Sequence, residues 1–356
     1  MTWFNHSDWQ RIKQDYTAFW KAELDRPLIT AYGPKDSSQG SGLFHNPYTP
    51  EDSAEVIVSL AKKSVENTLC YGDAFPCFWP NFGPGLTTAM VNICGMHYSA
   101  DTIWFEPKEM KHLQDINIKA DLKNEWFVKI KKVTRLAVEK FGSRAQVGFT
   151  DLGGNLDLLS ACRTPNNLLM DLLDCPDEVK RVTQEFHDAW WTYYNELAGI
   201  IEKQNLGFTP WASTWAPGKT YIMQCDFASM ISPGMFKEFV IPEIQKTCQK
   251  LEYTFFHLDG PMMVPHVEHL LDLEELRGIQ WVPGAGAPSG DTWTDLIQRI
   301  LEADKLVQLI TKREQTLNAI RTFGSKNIMY LITESLSPDQ AEKFLDDVKN
   351  ECKASR

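Results

Sequence analysis

The sequence carries no excess of positive charge: 36 lysines and arginines stand against 47 aspartates and glutamates, a formal net charge of −11. Holding a phosphate backbone needs a basic face, so nucleic acid is excluded as a partner class. Long apolar runs are missing as well. None approaches the roughly 20 residues that span a bilayer, and the stretch MTWFNHSDWQRIKQDY is polar and aromatic where a secretory signal needs a basic and then an apolar segment. The expectation is a cytoplasmic protein without a membrane partner. The eight cysteines (70, 77, 94, 162, 175, 225, 248 and 352) show no CxxC or similar spacing, which argues against a metal knuckle and a disulfide framework and leaves buried thiols. No GxGxxG or GxxxxGK[ST] turn is present, so the usual phosphate-binding signatures are absent.

What the chain does have is an ordinary globular composition, 43% hydrophobic and 23% charged over 356 residues, enough for a substantial core. It also has 12 tryptophans, more than packing alone requires, so some are expected to line a pocket. From about residue 200, short β-branched or aromatic runs alternate with amphipathic stretches. LGFTPW (206–211) precedes 233–250, YTFFHLDG (253–260) precedes 262–273, and GIQWVPG (278–284) precedes 291–303. LVQLIT (306–311) then leads into 313–323, and NIMYLIT (327–333) into 337–352. Earlier, PLITAYG (27–33), AFPCFWP (74–80) and AQVGFT (145–150) supply three more strand candidates, making eight strand–helix units. That pattern predicts an α/β fold, a (β/α)8 TIM barrel over 27–356, with residues 1–26 as a helical extension packed outside it. An open doubly wound sheet is the competing architecture. The Gly/Ser/Pro-rich segment 34–51 reads as a mobile lid, and 95–125 as an irregular excursion.

A barrel carries its chemistry at the C-terminal ends of its strands. The residues expected there are Trp79, Asp151, Trp211, His257, Asp259, Trp281, Thr311 and Glu334. His257 and Asp259, two apart in an extended run, point to one side, and Glu334 follows the last strand. One nitrogen and two oxygen donors suit a divalent metal. The bland alternative has His257 bonded to a loop carbonyl and Asp259 capping the helix that starts near Pro261. Asp151 begins a turn whose paired glycines let backbone approach a ligand, Asp157 belongs either to a helix surface or to the lid side, and Asp226 is placed to reach the pocket. Ser232 before Pro233 is a helix cap, Cys225 reads as a buried thiol, and His266 and His269 read as surface or packing residues. Trp79, Trp211, Trp215 and Trp281 fall at or beyond strand ends, where their rings are candidates to box an aryl ring or a quaternary ammonium group. Core packing is the alternative for each of them. Trp190 and Trp191, on a helical stretch, read as packing residues.

Several stretches resemble the uroporphyrinogen decarboxylase superfamily: FWKAELDRPLI (19–29), YGDAFPCFWPNFGPG (71–85), DLGGNLDLLSACR (151–163), CDFASMISPGMFKEFVIPEI (225–244), FHLDGPMMVPHVEHLLDLEELRGIQWVPGAG (256–286) and the strand before ESLSP (334–338). The resemblance covers nearly the whole chain and implies a (β/α)8 barrel. That superfamily includes the haem-pathway decarboxylase and corrinoid-dependent methyltransferases. The decarboxylase carries an Arg-rich motif, roughly MRQAGRY, where this chain has ITAYGPKDSSQGSG without arginine, so uroporphyrinogen is not an expected substrate. In the thiol-methylating members zinc is held by His-x-Cys-Gly and a later Cys. The resemblance therefore implies a divalent metal, zinc in the first instance, on His257, with Asp259 and Glu334 in place of the two cysteines.

So altered, the ligand set is harder and suits polarising an oxygen or nitrogen of a methyl donor. The implied activity is transfer of a methyl group from a small methoxylated or methylamine-type substrate to a corrinoid protein, with His257 and Asp151 as catalytic residues and Asp226 beside the substrate. No corrinoid-attachment motif such as DxHxxG is present, so the corrinoid comes from a partner protein, and a homodimer is the candidate self-assembly. The alternatives are a decarboxylase or lyase acting on a small acid, and a noncatalytic binding protein using the Trp-lined mouth.

Overall fold

The computed structural model describes residues 4–40, 42, 45–98 and 103–354. Its helices are α1 (His6–Trp20), α2 (Ala54–Asn67), α3 (Thr87–Met90), α4 (Glu125–Phe141), α5 (Asn155–Arg163), α6 (Pro165–Asp174) and α7 (Pro176–Ile201). After these come α8 (Pro233–Phe239), α9 (Ile241–Cys248), α10 (Val267–Leu271), α11 (Thr294–Glu302), α12 (Arg313–Phe323) and α13 (Pro338–Ala354). No helix among the described residues is long and apolar enough to cross a membrane. The strands are β1 (Leu28–Pro34), β2 (Thr68–Gly72), β3 (Cys77–Phe78), β4 (Cys94–Tyr98), β5 (Ile103–Pro107) and β6 (Gln146–Val147). They continue with β7 (Thr220–Gln224), β8 (Tyr253–Asp259), β9 (Gly278–Val282), β10 (Leu306–Thr311) and β11 (Ile328–Ser335).

Seven strands form one mixed sheet in the order β2-β1-β11-β10-β9-β8-β7, in which only the β1–β2 pairing is antiparallel. From β7 to β11 each strand lies beside its predecessor, and β11 then pairs with β1. No reversal of strand order occurs along β7–β11, and a doubly wound sheet requires one. β3 and β6 pair separately, in parallel, and β4 pairs antiparallel with β5 at the start of the 95–125 excursion.

One strand assignment is corrected. Residues 206–211 make no strand, only a bridge between Phe208 and Ala216, and the unit before β8 is β7. Gly207 sits at φ +98, where an added Cβ would lie 2.6 Å from the Ala216 carbonyl oxygen, and Pro210 removes a donor. The run TYIMQ keeps all its amides and alternates cleanly between the two faces.

That alternation sorts the interior. Ile29, Ala31, Tyr221, Met223, Phe256, Leu258, Ile279, Trp281, Val307, Leu309, Tyr330 and Ile332 face the helices in the main core. Leu28, Ile222, Phe255, Leu306 and Met329 point to the inner face near the strand starts, where Trp9, Ile12, Tyr16, Phe19 and Trp20 of α1 cover them. The extension helix therefore covers the strand starts on this face of the sheet. It starts at a capping box between Asn5 and Asp8 and presents its apolar stripe at helical spacing. Toward the strand ends the inner face carries Tyr32, Trp79 and Leu331. The 34–51 segment is tied down by Asn67, whose side chain bonds the backbone of Asp36, Gln39 and Gly40, and by buried Tyr48. Residues 41, 43 and 44 of that expected lid lie outside the described residues.

Candidate functional site

Phe255, His257 and Asp259 share the inner parity of β8, which brings His257 and Asp259 to the same side at the strand end. In the neighbouring strand Gln224 is in register with His257, so Asp226, two residues further, arrives beside Asp259. One donor atom from each of Asp226, His257 and Asp259 lies within 4.8 Å of the others. Asp226 opens onto the cleft, while the loop bearing it is fixed from behind. The Asp157 carboxylate accepts the backbone amides of Asp226 (2.9 Å) and Phe227 (2.7 Å). Asp157 is therefore a clamp on the site loop. Burial of its carboxyl group and the charge of Asp226 push Asp157 up to about 8, against the pull of those two amides. The capping alternative for Asp259 does not apply, because the residue preceding the turn at Pro261 is Gly260 and no side chain caps it.

The His257 ring is held on two sides. Its Nδ1 is hydrogen-bonded to Gln280 Oε1, and the ring meets the Trp211 indole edge-on at a centroid separation of 5.4 Å. Asp151 follows β6 and is buried, accepting the Gly153 amide at 2.7 Å. Gly153 has φ +67, and a Cβ there would stand 2.5 Å from the Gly85 Cα, which explains the first of the paired glycines in this turn. The turn is tied further by Leu152 N–H donating to Tyr221 and Trp190 Nε1–H to the Gly153 carbonyl.

Burial pushes the Asp151 carboxyl up to about 6, the amides of Gly153 and Gly85 and the His257 ring oppose it, and Asp226 adds to it. The folded chain thus retains a proton that the unfolded chain has released above its own value of about 3.9. Stability of the metal-free protein is expected to be highest below that value with respect to this group and to fall by about 3 kcal/mol as pH rises through 6. Urea denaturation at pH 4.5 and pH 7.5 measures the fall, which Asp151→Asn should reduce by about 2 kcal/mol, the rest belonging to Asp157 and Asp226, whose carboxyl groups are raised as well.

A cleft of about 560 Å³ adjoins the site, its lining including Asp226, Asp157, Gln224, Trp104, Phe105 and Met230. No lysine or arginine lines it among the described residues.

Not every expected residue arrives. Glu334 is corrected: the alternation that points Met329 and Leu331 inward turns it outward, to α12. There its carboxylate accepts the Arg313 backbone amide (2.6 Å) and the Arg313 guanidinium (3.1 and 3.2 Å). Burial raises its carboxyl, the Arg313 bonds outweigh that, and the balance lies below the usual glutamate value. Trp281 is also corrected, since it is wholly buried on the helix side against Trp293. Trp215 belongs to the opposite end, packed on Tyr16 beneath the strand starts with its Nε1–H on the Leu206 carbonyl. Trp79 lies in the upper inner cluster against which Trp211 packs, so of the four rings only Trp211 touches His257. Thr311 is buried and bonded to Thr316. Cys225 is buried, Ser232 caps α8, and His266 stacks on Phe236 with its Nε2 on the Ala228 carbonyl, all in packing or capping roles.

No protein-family model matches this chain, and no curated protein is significantly similar to it.

Proposed function

We propose that this chain is the substrate-demethylating component of a methyl-transfer system, built on a (β/α)8 barrel and working with a separate corrinoid protein. The observation that carries the proposal is the convergence of Asp226, His257 and Asp259 at adjacent strand ends beside buried Asp151. The barrel reading is supported by the β1–β11 pairing of first and last large strands, by the parallel β3–β6 pair, and by the Phe149 amide on the Thr209 carbonyl beyond it.

One imidazole nitrogen and two carboxylate oxygens fit a zinc-like divalent ion, with Asp226 taking the place the sequence reading gave to Glu334. When bound, such an ion supplies Lewis acidity toward an oxygen or nitrogen of the methyl donor. The chain's own residues do the rest. Trp211 walls the donor beside His257, Asp157 holds the Asp226 loop in place, and Asp151 in its protonated form gives its proton to the departing oxygen or nitrogen as the methyl group leaves for the partner's low-valent cobalt. The proton balance closes on the substrate: a methoxy donor or neutral amine leaves as an alcohol, phenol or amine carrying that proton, whereas a cationic methylamine leaves as the neutral amine without it. A small carboxylic acid suits this site less, because the cleft offers the acidic side chains Glu106, Asp157 and Asp226 and, among the described residues, no lysine or arginine to meet it.

The test is a panel of methoxylated aromatics and methylamines, each mixed with the protein, zinc and a reduced corrinoid protein, with methylation followed in the corrinoid absorption spectrum. Transfer is expected for at least one donor class, and uroporphyrinogen should pass through unchanged. Carbon dioxide release from a small acid, without transfer from any donor, overturns the reading.

A further inference from the structure

We propose that Gln280 and Gln308 are positioning residues which decide which ring nitrogen His257 offers to the cleft. The proposal rests on reading His257 as a donor to a cation, and it extends the His257–Gln280 contact to Gln308, which the site description does not use. The starting point is register. Gln224 is paired with His257, His257 with Gln280, Gln280 with Gln308, and Gln308 with Met329, so one level crosses β7 to β11 with four polar side chains in successive strands. Gln280 and Gln308 are 1% and 0% exposed. A buried primary amide is costly unless its donors and acceptors are matched, so each amide here has a reason to hold one orientation.

That orientation can be read from its far end. The Ala212 carbonyl can only accept, so the Gln308 group 3.2 Å from it is the amide nitrogen, which also lies 3.2 Å from Thr214 Oγ1. Gln308 Oε1 is then an acceptor, and it faces Gln280 Nε2 at 2.6 Å. This leaves Gln280 Oε1 as the atom against His257 Nδ1. An amide oxygen cannot donate, so Nδ1 carries the hydrogen, and in the neutral ring the free lone pair sits on Nε2. Turning Gln280 over would set its oxygen against that of Gln308, and turning both would set an oxygen against the Ala212 carbonyl. One backbone carbonyl thus fixes the tautomer of a histidine three hydrogen bonds away, and the nitrogen left free is the one that can serve as a ligand alongside Asp226 and Asp259.

The experiment uses the full-length metal-free protein labelled with ¹⁵N in histidine, with long-range ¹⁵N–¹H correlation spectra at pH 8 and His257→Ala to assign the resonance. The wild type should show His257 with hydrogen on Nδ1. Gln280→Leu should shift the ring toward hydrogen on Nε2 and weaken zinc binding by about 10- to 100-fold, read by competition with a chromophoric chelator. Gln308→Leu releases Gln280 to turn and should give a mixture of tautomers. Hydrogen on Nε2 in the wild type overturns the proposal, and so does a folded Gln280→Leu that binds zinc as tightly as wild type. The wild-type spectrum needs no substituted chain to be folded. Absence of methyl transfer with an Nδ1–H ring overturns the functional reading alone, and absence of zinc binding with the same ring overturns the metal reading alone.

Discussion

His257→Ala is expected to abolish methyl transfer and to lower zinc affinity by at least about 100-fold, with the far-ultraviolet circular dichroism spectrum unchanged. A three-donor site that loses its only nitrogen keeps two carboxylates, a set that holds zinc poorly against water. Asp226→Asn and Asp259→Asn should each lower affinity as well, since an amide oxygen is a weaker, uncharged donor. Glu334→Gln is the discriminating control. Its carboxylate is already bound to Arg313, so zinc affinity should stay within about threefold of wild type, and the change should appear only as a small loss of stability at the start of α12, as is usual for a partly exposed ion pair. Zinc binding that fails in Glu334→Gln and survives in Asp226→Asn would restore the ligand set read from the sequence. Isothermal titration with zinc on all four variants decides between the two sets.

The contrast between those two sets comes from the period of a strand. Side chains alternate faces, so an error of one position reverses what a residue is taken to do. In β8 the parity was visible because His257 and Asp259 are the polar pair in an apolar run. In β9 and β10 the telling residues were Gln280 and Gln308, single amides in GIQWV and LVQLI, but the larger Trp281 drew the assignment to the opposite face. For β11 the same slip of one position put Glu334 on the face that carries Met329 and Leu331. The sequence places Asp226 near the pocket, and its partnership with Asp259 needs the register of β7 on β8. That register was hidden as long as LGFTPW stood in for TYIMQ as the strand. The role of Asp157 as a clamp was out of reach because it depends on a contact spanning 69 residues. Charge, strand–helix alternation and the Gly153 turn could be read locally because local chemistry sets them. Convergence could not, because packing sets it.

Two tryptophans separate these levels in one experiment. Trp281→Ala should cost about 3 to 5 kcal/mol of folding stability, since it empties a fully buried volume beside Trp293 that the surrounding helices and strands cannot collapse to fill. Its urea midpoint should fall well below that of the wild type, while the protein that remains folded binds the methyl donor with unchanged affinity. Trp211→Ala should do the reverse. Trp211 is only partly buried and makes its edge contact with His257 at the inner strand ends, so removing it leaves a gap that solvent can enter and a small loss of stability. Donor binding should weaken by about 1 to 2 kcal/mol, roughly 5- to 30-fold in Kd, through lost aromatic contact. A cationic methylamine should be affected more than a neutral methoxyarene if the indole face contributes electrostatically, and equally if it contributes contact area alone. If Trp281→Ala instead leaves the urea midpoint in place and weakens donor binding, then β9 presents its other face to the substrate, and the alternation that places Gln280 beside His257 fails with it.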